Sequence, residues 1–173
     1  MAIISTDLQD FHSGGAGNSN QAADLGGAIG LAVTDNVDNN AWSDVPGAEA
    51  AAGSIKYRAR YWKNAHGSLE LVNAKFFIPV NTTSTDDTIA IAKGDEGAGD
   101  GSSTGVLETI ADEDTAPVGP AFSAPATYAS GIALSGMTTG KVHGYWERRT
   151  VTAPASAKTA NSYQLTLQGE TAE

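Results

Sequence analysis

Three histidines are the residues best suited to acid–base chemistry in this chain of 173 residues. They are His12, His66 and His143, and each could act as the base beside a hydrolytic nucleophile. His66 falls in a short Ala-His-Gly-Ser turn, and the sequence contains no Gly-x-Ser-x-Gly motif of the kind that presents a nucleophilic serine. Since no catalytic constellation emerges, we expect that the protein is not an enzyme.

An acidic, glycine-containing stretch is the strongest candidate for a metal site. Asp95-Glu-Gly-Ala-Gly-Asp100 carries carboxylates of the sort that bind calcium, but their order matches neither the helix-loop-helix calcium loop nor the glycine–aspartate nonapeptide repeat. The chain has no cysteine, so a thiolate site or a disulfide is impossible. We therefore expect no cofactor and no metal, with a solvated loop over 94–105 and calcium binding there as the open alternative.

Two segments combine basic with aromatic residues and hold seven of the ten Lys and Arg residues. They are Lys56-Tyr-Arg-Ala-Arg-Tyr-Trp-Lys63 and Lys141-Val-His-Gly-Tyr-Trp-Glu-Arg-Arg149. In the first, basic residues alternate with tyrosine and alanine, and this period of two predicts a strand with one buried face and one charged face. The charged face would form a cationic ridge. The candidate contacts between chains are Lys56, Arg58, Arg60, Trp62, Tyr145, Trp146, Arg148 and Arg149.

The formal net charge of -10 is distributed in blocks along the chain. Residues 1–55 carry -7 and residues 84–114 carry -8, whereas residues 56–83 carry +4 and residues 115–173 carry +1. Phosphate binding needs a net basic surface, so nucleic acid is not expected as a partner. Unlike patches on one molecule can instead pair with those on the next, which predicts a homo-oligomer. The alternative is that the arginines pair with acids of their own chain.

Short alternating segments joined by glycine-containing turns predict an all-β fold. Strands are expected at 28–34, 54–64, 69–80, 88–93, 106–110, 131–134, 141–151 and 162–168. This series indicates an antiparallel β-sandwich, jelly-roll or immunoglobulin-like, in which the second and third strands form a hairpin around His66. The polar stretch Ser13-Gly-Gly-Ala-Gly-Asn-Ser-Asn20 predicts an extended N-terminal arm over 1–25, leaving 26–173 as a single sandwich domain.

The first residues carry neither the basic region nor the continuous apolar region of a signal peptide, and no run reaches the length of a membrane span. We therefore expect synthesis in a cytoplasm and no membrane association.

A series of short motifs runs through residues 40–171. They are Asp44-Val, Glu49-Ala, Gly53, Tyr57-Arg58, Tyr61-Trp-Lys-Asn64, Ala74, Trp146-Glu-Arg-Arg-Thr-Val151, Asn161 and Gly169-Glu-Thr171. In these motifs the chain resembles virion proteins from the structural gene module of tailed bacteriophages. The resemblance implies a non-enzymatic, β-rich component of a phage head, neck or tail.

Within that resemblance, the expected function is that of a capsid decoration or cement protein, located in the virion and acting by subunit binding. Its partners would be copies of itself and other virion proteins, the major capsid protein first among them. A neck or tail protein of the tube, baseplate or fibre is one alternative. Another is a carbohydrate-binding β-sandwich that uses Tyr145, Trp146 or Trp62 as a stacking platform, which requires these rings to be exposed.

Overall fold

The computed structural model describes residues 2–34, 37, 39–94 and 106–172. Its strands are β1 (Leu8–Ser13), β2 (Gly27–Ala32), β3 (Ser54–Asn64), β4 (Leu71–Val80), β5 (Asp87–Lys93), β6 (Val106–Leu107), β7 (Ile132–Ala133), β8 (Val142–Val151) and β9 (Gln164–Thr171). One short α-helix, α1 (Gly47–Ala52), precedes β3, and single 3-10 turns cover Ser5–Asp7 and Ala16–Asn18. Helix α1 ends at Gly53, whose φ of 77° is a conformation that glycine adopts readily.

The strands form two antiparallel sheets. The larger has the order β5-β8-β3-β1-β2-β6 and the smaller the order β7-β4-β9. Strands β3 and β8 make the longest ladder, from Ser54 opposite Val151 to Lys63 opposite Val142. The prediction of an all-β, antiparallel, sandwich-like fold is confirmed.

Both faces of the large sheet are buried. One face packs on the small sheet, where the Trp62 and Tyr145 rings stack at 5.7 Å and Phe76 lies 5.5 Å from Tyr145. The other face carries Tyr61 and Trp146, which form a second core with residues from the segment after β6. The sequence pattern predicted one buried and one charged face for β3, and this expectation is wrong because each face has its own covering layer.

Strand β1 lies inside the large sheet, between β2 and β3. Its pairing with β3 runs from Leu8 opposite Asn64 to His12 opposite Arg60. The extended N-terminal arm expected over 1–25 is therefore wrong, and the start of the chain belongs to the sandwich. The polar glycine-rich stretch misled the prediction because it forms a tight return, in which Gly27 has a φ of 79° and its Cα approaches the Gly15 carbonyl.

The expected hairpin around His66 is also wrong. Strands β3 and β4 follow each other in sequence but lie in different sheets, and β3 pairs with β8 and β1 instead. The Asn64 side chain fixes the crossing, since its Nδ2 donates to the Leu69 carbonyl at 2.8 Å and to the Met137 carbonyl at 2.7 Å. In the part of the chain that the structure describes, no helix is long and apolar enough to cross a bilayer.

Candidate functional site

The two arginines of β3 lie on the face of the large sheet that also carries Trp62 and that packs on the small sheet. Register places Arg58 opposite Glu147 and Arg60 opposite Tyr145 on β8, with His12 of β1 on the other side of Arg60. Directly opposed residues of an antiparallel pair share a face, so these five side chains form one polar cluster. Arg60 is 2% exposed and Glu147 is fully buried.

Asp24 is the carboxylate at the centre of this cluster. It is fully buried, and its Oδ1 lies 2.9 Å from His12 Nδ1. Its Oδ2 lies 3.6 Å from a guanidinium nitrogen of Arg58 and 3.6 Å from one of Arg60. One acid from the return between β1 and β2 thus lies beside two arginines of β3, and Glu113 is a second, closer carboxylate for Arg58.

The segment around Trp42 closes the cluster from the side. The Ala41 carbonyl accepts hydrogen bonds from both Arg58 and Arg60, the latter at 2.9 Å. The Arg58 guanidinium lies 4.9 Å from the centre of the Trp42 ring, a cation–π distance. Trp42 Nε1 in turn donates to Glu147 Oε2 at 3.1 Å. These contacts hold a loop with little regular structure against the sheet.

The carboxyl groups of Glu147 and Asp10 also belong to the cluster. Glu147 Oε2 also accepts the Tyr163 hydroxyl at 2.8 Å, and Asp10 Oδ1 accepts the Tyr145 hydroxyl at 2.7 Å. Asp10 Oδ2 lies 3.4 Å from Arg60. The cluster therefore ties β1, β3 and β8 of the large sheet to the residue just before β9 of the small one.

Burial is the largest single influence on the pKa values of Asp10, Tyr145, Tyr163 and Arg60. It raises the pKa of Asp10 to about 7, although Arg60 and the Tyr145 hydroxyl act against the rise. Burial likewise raises the pKa of Tyr145 and of Tyr163 well above the ordinary value, with nearby carboxylates adding to the effect. Burial opposes the charge of Arg60, but Glu147, Tyr163 and Asp10 outweigh it and raise the pKa of this guanidinium.

The other predicted contact residues of β3 and β8 also bind within the chain. Arg58 Nε donates to Glu113 at 2.7 Å, and Lys56 lies 3.0 Å from Glu49. Arg149 makes three hydrogen bonds to Asp87: its Nε lies 3.1 Å from Oδ1 and 3.0 Å from Oδ2, and its Nη2 lies 2.6 Å from Oδ2. Asp87 also accepts from Asn161 at 2.8 Å, which joins β5 to the segment before β9.

The aromatic candidates are internal as well. Tyr145 is fully buried, Trp146 is 1% exposed and Trp62 is 7% exposed, while the Arg148 guanidinium lies 5.1 Å from the centre of the Phe122 ring. Trp62, Tyr145, Trp146 and Arg60 therefore present no surface to another chain, and their assignment as contacts between chains is wrong. The stacking platform for a carbohydrate is wrong for the same reason.

Sequence reasoning missed the acids and the tryptophan that complete the cluster. The missed residues are Asp10, Asp24, Trp42, Glu147 and Tyr163. The signal for the two aspartates was the charge distribution, because acids of the block at 1–55 pair with basic residues of the block at 56–83 inside one molecule. The alternative in which arginines pair with acids of their own chain describes Arg58, Arg60 and Arg149.

Because most Lys and Arg side chains are at least partly buried, the charges on the described outer surface are mainly acidic. Of the ten Lys and Arg residues only Lys158 is exposed, and the others are buried or half-buried. The exposed acids within the described ranges are Asp44, Glu108, Asp112, Asp114 and Glu170. The cationic ridge expected on the surface is therefore wrong, and the exterior carries the excess negative charge.

Two surface depressions lie apart from the cluster. One, of about 530 Å³, lies between Lys93 and the segment 118–123; the other, of about 300 Å³, is lined mainly by hydroxyl groups of 83–85 and Ser156. No group of His, Asp and Glu in the described part of the chain is arranged to hold a metal ion. The calcium alternative at 95–100 lies outside the described residues.

The polar cluster thus has the chemistry of an internal framework: paired charges, closed off from solvent. Comparison of the chain with protein-family models, with curated proteins and with solved structures gives no match. Function is therefore inferred from the residues themselves.

Proposed function

We propose that this chain is a structural component of a tailed-bacteriophage virion, and within it a capsid decoration or cement protein that acts by binding alone. The observation that carries the proposal is the position of the residues that resemble phage virion proteins. They lie on the strands and turns that determine the sandwich.

The two longest motifs are the paired central strands. Tyr57-Arg58 and Tyr61-Trp-Lys-Asn64 lie on β3, and Trp146-Glu-Arg-Arg-Thr-Val151 lies on β8, in one continuous register. They supply the internal ion pairs of Arg58 and Arg149 and the stacked ring of Trp62. The likeness therefore concerns the framework of the protein.

The isolated motif residues have similar roles. A Cβ on Gly53 would lie 2.9 Å from the Val151 carbonyl oxygen, and a Cβ on Gly169 would lie 2.7 Å from the Val72 carbonyl oxygen, so both sites favour glycine. Asn161 bonds to Asp87 and accepts the Ser84 amide at 3.1 Å. A resemblance concentrated on such positions supports a shared scaffold and, by analogy with that family, a scaffold used for assembly.

The acidic exterior supports a mode of binding. Exposed carboxylates at Glu108, Asp112 and Asp114 follow β6 closely and have no exposed Lys or Arg beside them in sequence. A partner with a basic outer surface would complement this region and increase the association rate. In the proposed role that partner is the capsid shell, which bound copies stabilise by mass action.

The experiment uses phage particles produced from a genome that carries this reading frame. Mass spectrometry of the purified particles should detect the chain, and particles lacking it should rebind the purified protein on co-sedimentation. The triple variant Glu108→Lys, Asp112→Lys, Asp114→Lys should bind more weakly, whereas Lys158→Glu should bind as the parent does. Absence of the chain from purified particles would refute the proposal.

Electron microscopy of particles that have rebound a labelled form of the protein distinguishes a position on the head from a position on the neck or tail. Label distributed over the shell supports a decoration protein. Label confined to the neck or tail would retain the virion assignment and replace the decoration role with the neck or tail alternative.

A further inference from the structure

At three of the sheet edges, other segments of the same chain form hydrogen bonds with the outward-facing backbone groups. On β5, the Asn81 side chain accepts the Ile89 amide at 3.0 Å and donates to the Ile89 carbonyl at 2.8 Å. The next outward residue, Ile91, exchanges two hydrogen bonds with Ser123. Such capping leaves no row of unpaired amides and carbonyls for another chain to use.

The side of β4 that faces away from β9 and the outer side of β2 are also covered by other segments of the chain. On β4, Leu71 exchanges hydrogen bonds with Met137, and Ile78 donates to the Pro125 carbonyl at 2.8 Å. On β2, the first residues pair with β6 and the Leu31 amide donates to the Gln21 carbonyl at 3.0 Å. Irregular segments thus close each of these edges.

Strand β9 is the exception. It pairs with β4 along one side, and among the described residues no strand pairs with its other side; the Ile3 amide donates to the Thr171 side-chain oxygen at its C-terminal end, at 3.1 Å. It runs for eight residues, from Gln164 to Thr171, with no lysine and no proline, and its one charged residue, Glu170, lies near its C-terminal end, so Gln164–Gln168 carry none of the residues that protect an edge. A long unprotected edge is a site for strand addition.

The backbone groups that face this open edge can be identified from β4. The Ala74 carbonyl accepts from Leu134, on the side away from β9. Because hydrogen-bonding direction alternates along a strand, Lys75 and Phe77 bond toward β9, where they oppose Gln168 and Thr166. Leu167, which lies between Thr166 and Gln168, therefore turns its amide and carbonyl outward, and the same alternation along β9 places the amides and carbonyls of Leu165 and Gly169 on that side.

The sequence of β9 is a palindrome centred on Thr166: Gln164-Leu-Thr-Leu-Gln168. We propose that β9 pairs with β9 of a second copy of this chain, antiparallel and around a two-fold axis at Thr166. In that register Leu165 opposes the second copy's Leu167, and these are the residues whose backbone groups face outward. The palindrome places each outward-facing leucine opposite an outward-facing leucine of the second strand. This agreement is the reason for proposing a second copy of the chain as the partner of β9.

The side chains agree with this pairing on both faces. On the inner face Leu167 is buried while Leu165 remains half-buried, so a second Leu167 beside Leu165 would extend the core across the axis. Tyr163 would oppose Gly169, a pairing in which an aromatic ring covers a strand glycine. On the outer face Gln164 would oppose Gln168, so no like charges meet. The two small sheets would join into one six-stranded sheet.

This interface is independent of the proposed virion role. The test measures the mass of the full chain by sedimentation equilibrium over a concentration series. We expect a reversible dimer. Thr166→Lys, which places two ammonium groups at the axis and leaves the core untouched, should raise the dissociation constant roughly fivefold to tenfold. Thr88→Lys, an exposed change on the sealed strand β5, should leave the dissociation constant unchanged.

A charge-pair experiment tests the register. Gln164→Lys with Gln168→Lys opposes like charges twice across the axis and should weaken the dimer, whereas Gln164→Lys with Gln168→Glu opposes unlike charges and should restore or strengthen it. Circular dichroism melting confirms that each variant folds. A strictly monomeric parent, a larger assembly insensitive to Thr166→Lys, or equal dissociation constants for the two double variants would each overturn the proposal.

Discussion

Asp24 Oδ2 lies 3.6 Å from Arg60 Nη2 between the two sheets, where both residues are almost completely inaccessible to solvent. The pair joins the return after β1 to the central strand β3. A buried ion pair contributes little net stability by itself, but removing one partner leaves an uncompensated charge. The framework of the protein therefore depends on these groups being complete.

Asp24→Asn should destabilise the protein strongly. The change keeps the size of the side chain but leaves Arg58 and Arg60 with less negative charge in a buried site, for a loss of about 3–5 kcal/mol in the free energy of unfolding. Urea denaturation followed by tryptophan fluorescence measures it. Asp114→Asn, at an exposed acid, is the matched control and should change stability by less than about 0.5 kcal/mol. Equal effects of the two changes would contradict the central role of Asp24.

Asp10 should make stability depend on pH between about 4 and 7. Its pKa rises from 3.8 to about 7 on folding, so in this range the folded protein binds the proton more tightly than the unfolded chain does. Stability from this group is therefore present at low pH and is lost as pH rises through the folded pKa.

The variant Asp10→Asn imitates the protonated carboxyl and isolates this contribution. The free energy of unfolding of the variant minus that of the parent should increase as pH rises from about 4 to about 7, by up to about 4 kcal/mol. Measuring the difference cancels the titration of the other acids. A difference that stays flat with pH, or that falls, would show that Asp10 is not the group responsible.

The fluorescence of the three tryptophans should show that their rings are shielded from water. Trp42, Trp62 and Trp146 are 8%, 7% and 1% exposed, so emission from the folded protein should be blue-shifted and resistant to acrylamide. Unfolding in urea should shift the emission to the red and restore quenching. Efficient quenching in the native protein would contradict the burial of these rings and would reopen the carbohydrate platform.

Gly27→Ala tests whether the N-terminal return is a fixed part of the fold. Gly27 has a φ of 79°, and an added Cβ would collide with the Gly15 carbonyl and lie 2.9 Å from Asn18 Oδ1. We expect a loss of about 2–4 kcal/mol in the free energy of unfolding. Gly119→Ala is the control, because Gly119 also has a positive φ, of 96°, but has open space around its Cα. The control should lose only about 1 kcal/mol. Similar losses would mean that backbone strain alone is measured.

Much of the local structure was predictable. The period of two in Lys56–Lys63 predicted β3, and the segment Lys141–Val151 predicted β8, within one residue of the bounds found. The alternation also predicted that Tyr61 lies on a buried face of β3, whereas Trp146, a predicted contact between chains, is a core residue. These features depend on alternation along one strand and on turn residues beside it, which a sequence displays directly.

The arrangement of the strands was less predictable. Nothing in the polar run after Ser13 distinguishes a flexible arm from a tight return, because glycine and asparagine favour both. The position of β1 between β2 and β3 depends on pairings between residues far apart in the chain, such as His12 with Arg60. The false hairpin around His66 has the same origin, since a short connection can also cross between sheets.

The sequence by itself determined the all-β class, the identity of the central strands, the absence of thiol chemistry and the total charge of -10. Only the tertiary structure decided where that charge lies. A strand with alternating arginines can point them at solvent or at buried acids, and the choice depends on whether a second layer covers that face. Here the small sheet and the Trp42 segment cover it, so Arg58, Arg60 and Arg149 pair with buried acids, and most of the exposed charges in the described residues are acidic.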